Sequence, residues 1–392
     1  MSPLASHYKR FRVAERLLLT GHSHQAWPDV GFEGQVEAWN DAAELVDGKW
    51  ERAAIKADHV RRGFARLLDT GPGEVALGTS THELLIRFLS ALPRERKRLV
   101  TTDGEFHSIR RQLDRLAEDR LAEVVKVAAT PAESIAERLI AAVDAGTAAV
   151  LVSSVLFGNA HIVPRLGSVL EACRRVGAEL LVDVYHHLNV VPFSLAREGL
   201  GDAFVTGGGY KYCQLGEGNC FLRVPPGREH LRPVVTGWFS EFAHLTDHAE
   251  GAVPYGEGPA RWAGATYDPT SHYRAARVFD FFEKRKLTPE RLREISQGQV
   301  GRLAARLDAL DLDPRTIARD RTVPLENIGG FLALSSRCAG EISRALAERG
   351  VATDFRGDVL RLGPAPYLSD AQLDAAIAAL GEVARDPAIS LR

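Results

Sequence analysis

The feature that most constrains the fold is a series of apolar segments between residues 147 and 224. TAAVLVSSVLF predicts a buried strand, and RLGSVLEACRRVGA predicts a helix that ends at Gly177. ELLVDVYHHLNVVPF, DAFVTGGGYKY and NCFLRVP predict three more buried strands. Strands that are apolar along their whole length are typical of a parallel sheet covered by helices on both faces. We therefore predict an α/β fold with a mostly parallel sheet.

The segments upstream extend the large domain, and those downstream predict a second, smaller domain. Upstream, AAIKADHVRRGFARLLD predicts an amphipathic helix, and GEVALGTSTHELLIRFLSAL predicts a short strand, a loop and a helix. From about residue 286 the predicted helices and strands follow an α+β pattern. We predict an N-terminal segment (1–48) that packs on the site and on the small domain, a large domain (49–285) and a small C-terminal domain (286–392).

Composition narrows the class of protein. The 49 Lys and Arg residues nearly balance the 51 Asp and Glu residues, so bulk charge gives no nucleic-acid-binding signature. No segment approaches the roughly 20 apolar residues of a membrane span, and the first 25 residues lack a signal peptide's apolar stretch. The four scattered cysteines include no CxxC pair, which argues against structural zinc or a disulfide framework. We expect a soluble cytoplasmic protein that binds neither nucleic acid nor membranes.

Four polar segments follow predicted strands, at the sheet edge where ligands bind in such folds. Asp183 closes LLVD, and Lys211 follows three glycines in GGGYKY. Phe106 lies in EFHS, and Ser80 and Thr81 open a helix in GTSTHE. Taken singly, each residue has an ordinary explanation. The aspartate could belong to a turn or cap, and the lysine could be a solvated surface group. The phenylalanine could pack in the core, and the serine could belong to a capping box.

Together the four segments predict a site for pyridoxal phosphate. This cofactor needs a lysine amine for covalent attachment, an acidic partner for its pyridine nitrogen, a phosphate cradle and a flat group against its ring. Lys211, Asp183 and Phe106 supply the amine, the acid and the ring. The turn at residues 78–81 offers hydroxyls and free amides at a helix N-terminus, where phosphate binds well. The chain contains only eight lysines, against 41 arginines, so few other lysines could serve as the attachment point.

The order of these segments resembles the fold-type I pyridoxal-phosphate enzymes of the class V aminotransferase group, and within it the kynureninase family. LLTGHSHQAWPDV resembles the family's opening segment, GTSTHELLIRFLSALP its phosphate-binding turn and helix, and EFHS its ring-stacking segment. DVYHHLNVVPFSL resembles the aspartate segment and GGGYKYCQLGEGNCFL the lysine segment. TGWF resembles G-W-F-G-H, and TDFRGDVLRLGPAPYLS resembles the arginine segment. The resemblance spans roughly residues 17–380.

The resemblance implies a role for residues in each segment. The implied catalytic residues are Lys211, Tyr210 and Asp183. The implied substrate-binding residues are Arg361, which holds the substrate carboxylate, with His22 and Ser23. The implied cofactor-binding residues are Lys211, Asp183, His186, Phe106, Ser108, Ser80, Thr81, His82, Tyr210, Trp238 and Thr266.

The resemblance also implies a reaction and an assembly. The reaction is hydrolytic cleavage of the β–γ carbon bond of kynurenine or a related amino acid, which gives alanine and an anthranilate in tryptophan catabolism. The assembly is a homodimer in which the segment around Thr266 and Asp268 enters the neighbouring subunit's site. The sequence departs from the family at EFAHL, after the tryptophan, and at GATYDPTSHYRA, in this shared segment.

Two alternatives stay open because these departures lie on the substrate side of the site or in the shared segment. One is another class V activity, an aminotransferase or β-lyase acting on a small amino acid. The other is a non-catalytic binding or regulatory protein with the same fold.

Other chemistries have little support in the sequence. The histidine pairs at 22 and 24 and at 186 and 187 lack a further ligand set at metal spacing, so we predict no metal site. No GxxxxGK[ST] or GxGxxG motif supports nucleotide binding. Cys338 precedes a helix, and no cysteine lies near Arg361 in the sequence, which argues against persulfide chemistry.

Overall fold

A large sheet and two smaller ones organise the chain, which the computed structural model describes over residues 2–246 and 251–390. The strands are β1 (Leu17–Leu18), β2 (Val75–Gly78), β3 (Arg98–Thr102), β4 (Glu123–Val127), β5 (Thr147–Ser153), β6 (Glu179–Asp183), β7 (Phe204–Gly208), β8 (Cys220–Arg223), β9 (Ala318–Arg319), β10 (Leu332–Ser335), β11 (Val351–Ala352), β12 (Asp354–Arg356) and β13 (Val359–Leu362). The α-helices are α1 (Val30–Leu45), α2 (Lys49–Leu68), α3 (Thr81–Ala91), α4 (His107–Glu118), α5 (Ile135–Ala142), α6 (Leu166–Val176), α7 (Thr270–Lys284), α8 (Pro289–Asp308), α9 (Ala339–Glu348), α10 (Asp370–Ala384) and α11 (Pro387–Ser390).

The large sheet has seven strands in the order β2-β8-β7-β6-β5-β3-β4. The strands from β7 to β4 run parallel, which confirms the predicted α/β fold with a mostly parallel sheet. The grouping of NCFLRVP with the parallel strands is wrong, because β8 pairs antiparallel with both β7 and β2. Residues 209–219 join β7 to β8, and a stretch this short leaves no room for the crossover helix that a parallel connection needs.

Strand β5 shows why its neighbours are apolar along their whole length. Val150 and Val152 belong to one core cluster, whereas Ala149 and Leu151 belong to the other. Successive side chains of a strand point to opposite faces, so both faces of the sheet are buried. Helices α2, α5, α6 and α7 contribute to the first cluster, and α3 and α4 to the second.

The C-terminal part of the chain forms an antiparallel sheet in the order β12-β13-β10-β9. In this sheet Arg361 of β13 lies between Ala333 of β10 and Asp354 of β12. Helices α8, α9 and α10 contact its strands or one another. These elements follow the predicted α+β pattern, and the domain boundaries at residues 48 and 285 stay a prediction.

The N-terminal segment connects the two larger sheets. Strand β1 pairs in parallel with β11, and Thr20 forms a bridge with Gly363. The Tyr8 hydroxyl donates to Gln214 Oε1 at 2.6 Å, and Gln214 Nε2 donates to Gln25 Oε1 at 2.7 Å. The segment therefore contacts both the loop that follows Lys211 and the C-terminal part of the chain.

Three further findings concern the described residues. No helix among them combines the length and the apolarity needed to cross a membrane. Within residues 2–246 and 251–390, no group of three or more His, Cys, Asp or Glu side chains could hold a metal ion. All four cysteines are buried free thiols.

Candidate active site

A cavity of about 340 Å³ lies at the carboxyl edge of the parallel strands. Ser153 ends β5 and Asp183 ends β6, and the two residues are paired in register. Lys211 follows β7, and Thr81 begins α3 beside the same cavity. These four side chains thus meet at one cavity, and the sequence predicts the strands and the helix that carry or precede them.

Lys211 is buried and ready to act as a nucleophile. Its side chain is 4% exposed, and its Nζ lies 2.7 Å from His186 Nε2 and 4.6 Å from the centre of the Tyr185 ring. Burial lowers the pKa of Lys211 to about 7, although the nearby Asp183 acts in the opposite direction. At neutral pH a large fraction of this lysine is the uncharged amine, the form that attacks a carbonyl group.

The glycines before Lys211 allow close packing around it. A Cβ atom at Gly208 would overlap the Tyr185 hydroxyl and the Cys220 sulfur, and one at Gly209 would overlap Leu215. Glycine carries no Cβ, so the chain can pass through this crowded place. The structure thus supplies a packing reason for the glycines of GGGYKY.

Asp183 and His186 lie near the lysine, and their pKa values are shifted in opposite directions. Asp183 accepts a hydrogen bond from the Tyr185 amide at 2.8 Å, and burial raises the pKa of its carboxyl against the effects of that amide and of Lys211. Burial, followed by the charge of Lys211, lowers the pKa of His186 well below its usual range. His186 is therefore neutral, and its Nε2 can accept from Lys211. Its buried Nδ1 has no hydrogen-bond partner among the described residues.

The N-terminus of α3 carries the predicted phosphate cradle. Ser80 caps the helix, since its Oγ accepts from the Glu83 amide at 3.2 Å. The Glu83 carboxylate accepts from the amide and hydroxyl of Thr79 instead of completing a capping box with Ser80. The amides of Thr81 and His82 belong to the first turn, where a helix offers no internal partner. The cap and the predicted phosphate cradle are therefore compatible in one turn.

This set of groups fits pyridoxal phosphate. A buried amine, a buried carboxyl group and the first-turn amides of a helix surround one cavity, as the cofactor requires. Phe106 adds a flat face, because Lys211 Nζ lies 5.1 Å from the centre of its ring. The orphaned Nδ1 of His186 is a further polar atom in the cavity wall.

The structure gathers most, but not all, of the predicted site residues. Trp238 and Thr266 lie together outside this cavity, with Trp238 Nε1 donating to Thr266 Oγ1 at 3.3 Å. Ser23 also lies outside it, with its hydroxyl 3.2 Å from His24 Nδ1. The predicted residues that line the cavity are Ser80, Thr81, His82, Phe106, Ser108, Asp183, His186, Tyr210 and Lys211.

Arg361 and His22 form a separate buried cluster with Asp354. The Arg361 guanidinium pairs with the Asp354 carboxylate and donates to the Phe157 carbonyl at 2.7 Å, while its Nε has no partner among the described residues. His22 Nε2 lies 3.6 Å from Asp354 Oδ2, and burial lowers the pKa of His22 to about 4. The charge of Arg361 also acts on Lys211, so this cluster lies close to the cavity without lining it.

Sequence reasoning missed several residues of the cavity wall. Ser153 ends β5 just as Asp183 ends β6, so the strand-end rule that found one could have found the other. Cys220 begins β8, and an antiparallel strand begins at the edge where its parallel neighbours end. Burial raises the pKa of the Cys220 thiol to about 12, which disfavours the reactive thiolate.

Similar proteins support the same assignment. A family model described as the kynureninase C-terminal domain matches residues 316–380. The kynureninase of Geobacillus thermodenitrificans (strain NG80-2) is 25% identical over 369 residues, which cover 90% of this chain and 80% of that protein. An uncharacterized aminotransferase of Bacillus subtilis (strain 168), YcbU, is 22% identical over 207 residues, about half of each protein.

Solved structures show the same fold. The complex of the cystine C-S lyase C-DES with its product cysteine persulfide superposes with a TM-score of 0.81 at 16% identity and covers 95% of this chain and 98% of that one. The apo cysteine desulfurase of Thermococcus onnurineus NA1 gives a TM-score of 0.80 at 16% identity, with 98% of both chains covered. The chain thus resembles kynureninase in sequence and has the fold of the class V, fold-type I pyridoxal-phosphate enzymes, and the residues of its cavity fit pyridoxal 5'-phosphate as its cofactor.

Proposed function

We propose that the protein hydrolyses the β–γ carbon bond of kynurenine or a related amino acid and releases alanine and an anthranilate. The observation that carries this proposal is the C-terminal match to kynureninase over residues 316–380, which includes Arg361. The 25% identity to a kynureninase over 90% of the chain supports it.

The residues around the cavity support the proton transfers of such a reaction. When bound, the cofactor supplies an electron sink next to the substrate's α-carbon. Lys211, with its pKa near 7, is the base that removes the α-proton. His186 accepts a hydrogen bond from Lys211 Nζ and so orients the amine. Asp183, which lines the same cavity, would hold the proton of the pyridine nitrogen.

Tyr210 is the proposed proton donor for the carbon that leaves as alanine. Burial raises the pKa of its hydroxyl to about 12, so the group stays protonated at neutral pH. Its ring stacks on His24 at 4.8 Å between ring centres and lies 4.8 Å from Tyr185. These two contacts fix the orientation of the phenol beside the cavity.

Arg361 is the proposed partner of the substrate carboxylate. A guanidinium can bind a carboxylate through two parallel hydrogen bonds. Asp354 holds Arg361 in this structure, but it also pairs with the exposed Arg356 at 2.6 Å. Among the described residues Arg361 Nε has no partner, so this donor is available to a substrate, and the two-pronged contact would require the carboxylate to compete with Asp354 for the neighbouring nitrogen.

The test is to incubate the holoenzyme with kynurenine and with 3-hydroxykynurenine and to measure alanine and the fluorescent anthranilate product. We expect both products in equal amounts, and none from a Lys211→Ala control. Release of neither product from either substrate would overturn the proposal and leave the fold and cofactor assignment unchanged.

The second candidate is a β-lyase or an aminotransferase. It is favoured by the match to YcbU and by the structural similarity to a cystine C-S lyase. The same holoenzyme should then form pyruvate and a persulfide from cystine, or consume an amino acid only when a keto acid is present. A non-catalytic protein would do neither.

We further propose that the protein is a homodimer in the cytosol. Its four buried, free thiols support a reducing compartment. Trp238 and Thr266, which the resemblance assigns to the site, lie outside the cavity of this chain, and the exposed side of Trp238 leaves it free to contact a neighbouring subunit.

A further inference from the structure

Glu105 is a buried carboxyl group that the proposed mechanism does not use. It precedes the ring-stacking Phe106 and is 1% exposed. Its Oε1 lies 2.7 Å from Thr102 Oγ1, and its Oε2 lies 2.6 Å from Ser153 Oγ. No lysine, arginine or histidine side chain within the described ranges forms an ion pair with it. A buried carboxylate without a cation is costly, so the surroundings favour the protonated form.

Ser153 links this carboxyl group to the cavity. It lines the cavity wall, and it pairs in register with Asp183 at the ends of β5 and β6. Asp183 is the charged group that acts on Glu105 from the neighbouring strand. A negative charge on Asp183 therefore adds to the effect of burial and disfavours a second negative charge on Glu105.

The contacts of the two groups decide which one is neutral. Asp183 accepts an amide hydrogen bond and has Lys211 nearby, and both stabilise a negative charge. Glu105 contacts the Ser153 amide and two hydroxyl groups, which can accept a hydrogen bond as well as donate one, but no cation lies beside it among the described residues. Burial raises the pKa of Glu105 to about 7, in spite of the opposing effects of Ser153 and Thr102.

We propose that Glu105 is a positioning residue that stays a neutral acid and donates its proton to Ser153 Oγ in a hydrogen bond. The Ser153 hydrogen then turns towards the cavity, where a bound acceptor can receive it. Asp183 is left as the charged member of the pair. This inference rests on the pyridoxal-phosphate site and not on the choice of substrate.

Two variants of Glu105 test the charge state through cofactor affinity. Glutamine can donate to Ser153 and accept from Thr102, as a neutral acid does. We expect Glu105→Gln to keep the dissociation constant of pyridoxal phosphate within about twofold, and Glu105→Ala to raise it about tenfold because a buried hydrogen bond is lost. Equal losses in both variants would show that the carboxylate charge is needed and would overturn the proposal.

A double-mutant cycle tests whether Glu105 acts through Ser153. Ser153→Ala should weaken cofactor binding about as much as Glu105→Ala, and the double variant should bind no more weakly than either single variant. Additive losses would show that Glu105 acts by another route. Glu118→Gln, at the exposed end of α4, is the matched control and should leave the affinity unchanged.

Infrared spectroscopy reports the proton directly. The holoenzyme at pH 6 should show a protonated-carboxyl band that is missing in Glu105→Gln and retained in Glu118→Gln. Absence of this difference would show that Glu105 is ionised. If Glu105→Gln does not fold, Glu105→Asp serves instead: it should keep a protonated-carboxyl band while losing the Ser153 contact and about tenfold in cofactor affinity.

Discussion

Burial sets the protonation state of the groups around the cavity. It lowers the pKa of Lys211 to about 7, keeps His186 neutral and raises the pKa of Tyr210 to about 12. At neutral pH the site therefore offers an available amine, a neutral imidazole and a protonated phenol. These are the states that a base, an acceptor and a proton donor need.

The first prediction concerns Lys211. The purified protein should be yellow, because we expect this buried amine to attach pyridoxal phosphate covalently. Borohydride reduction followed by peptide mapping should place the label on Lys211, and Lys211→Ala should carry no covalent label. A label on a different lysine would contradict the assignment.

The second prediction separates the cofactor from the substrate at Arg361. Arg361→Lys should leave the colour and cofactor content intact, because Arg361 does not line the cofactor cavity. It should lower kcat/KM roughly 30- to 900-fold, because a lysine cannot form the two-pronged contact. This fold-change corresponds to a loss of about 2–4 kcal/mol of transition-state stabilisation. Steady-state kinetics on the best substrate measures the loss.

Arg356→Lys is the matched control for this experiment. Arg356 pairs with the same Asp354 but is exposed, so its replacement should change kcat/KM by less than about threefold. A larger loss in Arg356→Lys than in Arg361→Lys would show that Arg356 binds the carboxylate. Loss of the cofactor from Arg361→Lys would show that Arg361 is structural.

At the scale of the elements, the N-terminus of α3 is both capped by Ser80 and part of the cavity wall. Ser80→Ala removes the cap of α3 and should lower the free energy of unfolding by about 1 kcal/mol. It should also weaken pyridoxal-phosphate binding several-fold, because Ser80 lines the cavity. Ser369→Ala, in the capping box of α10, should cost similar stability and leave the affinity unchanged. Denaturation and a cofactor titration measure the two effects.

The sequence predicts those elements whose signals are local. The apolar segments identify β5, β6 and β7; Asp183 is the last residue of β6, and Lys211 follows β7. The Ser80 turn is equally visible because its cap spans four consecutive residues. Each of these signals depends on neighbours in the chain, which is why prediction succeeds.

Other parts of the site depend on contacts between distant segments. Glu105 meets Ser153 across two strands, and Asp354 meets His22 across most of the chain. Cys220 enters the cavity because β8 runs antiparallel, which its own apolar pattern does not reveal. Such pairings come from tertiary packing, so the sequence of either partner alone cannot indicate them.

At the scale of the whole molecule, parts that lie far apart in the chain meet near one cavity. The large sheet contributes Lys211 and Asp183, the C-terminal sheet contributes Arg361, and the N-terminal segment contributes His22. The surface around Trp238 is also unusually apolar: Trp238 is 43% and Phe242 60% exposed. An exposed apolar patch of this kind is typical of a protein interface.

We therefore predict a homodimer with twofold symmetry. Light scattering at micromolar concentration should give twice the 42.8 kDa of one chain. Phe242→Asp should shift the mass towards a single chain, because it places a charge in the apolar patch. A wild-type protein that is monomeric and fully active at this concentration would contradict the prediction.

The pairing of β1 with β11 also fixes an order of events during synthesis. Residues 17–20 leave the ribosome long before their partners at residues 351–363 are made. The large sheet, which ends at residue 223, has all its strands long before then. The segment that carries His22 can therefore pair with β11 only after all strands of the large sheet have been made.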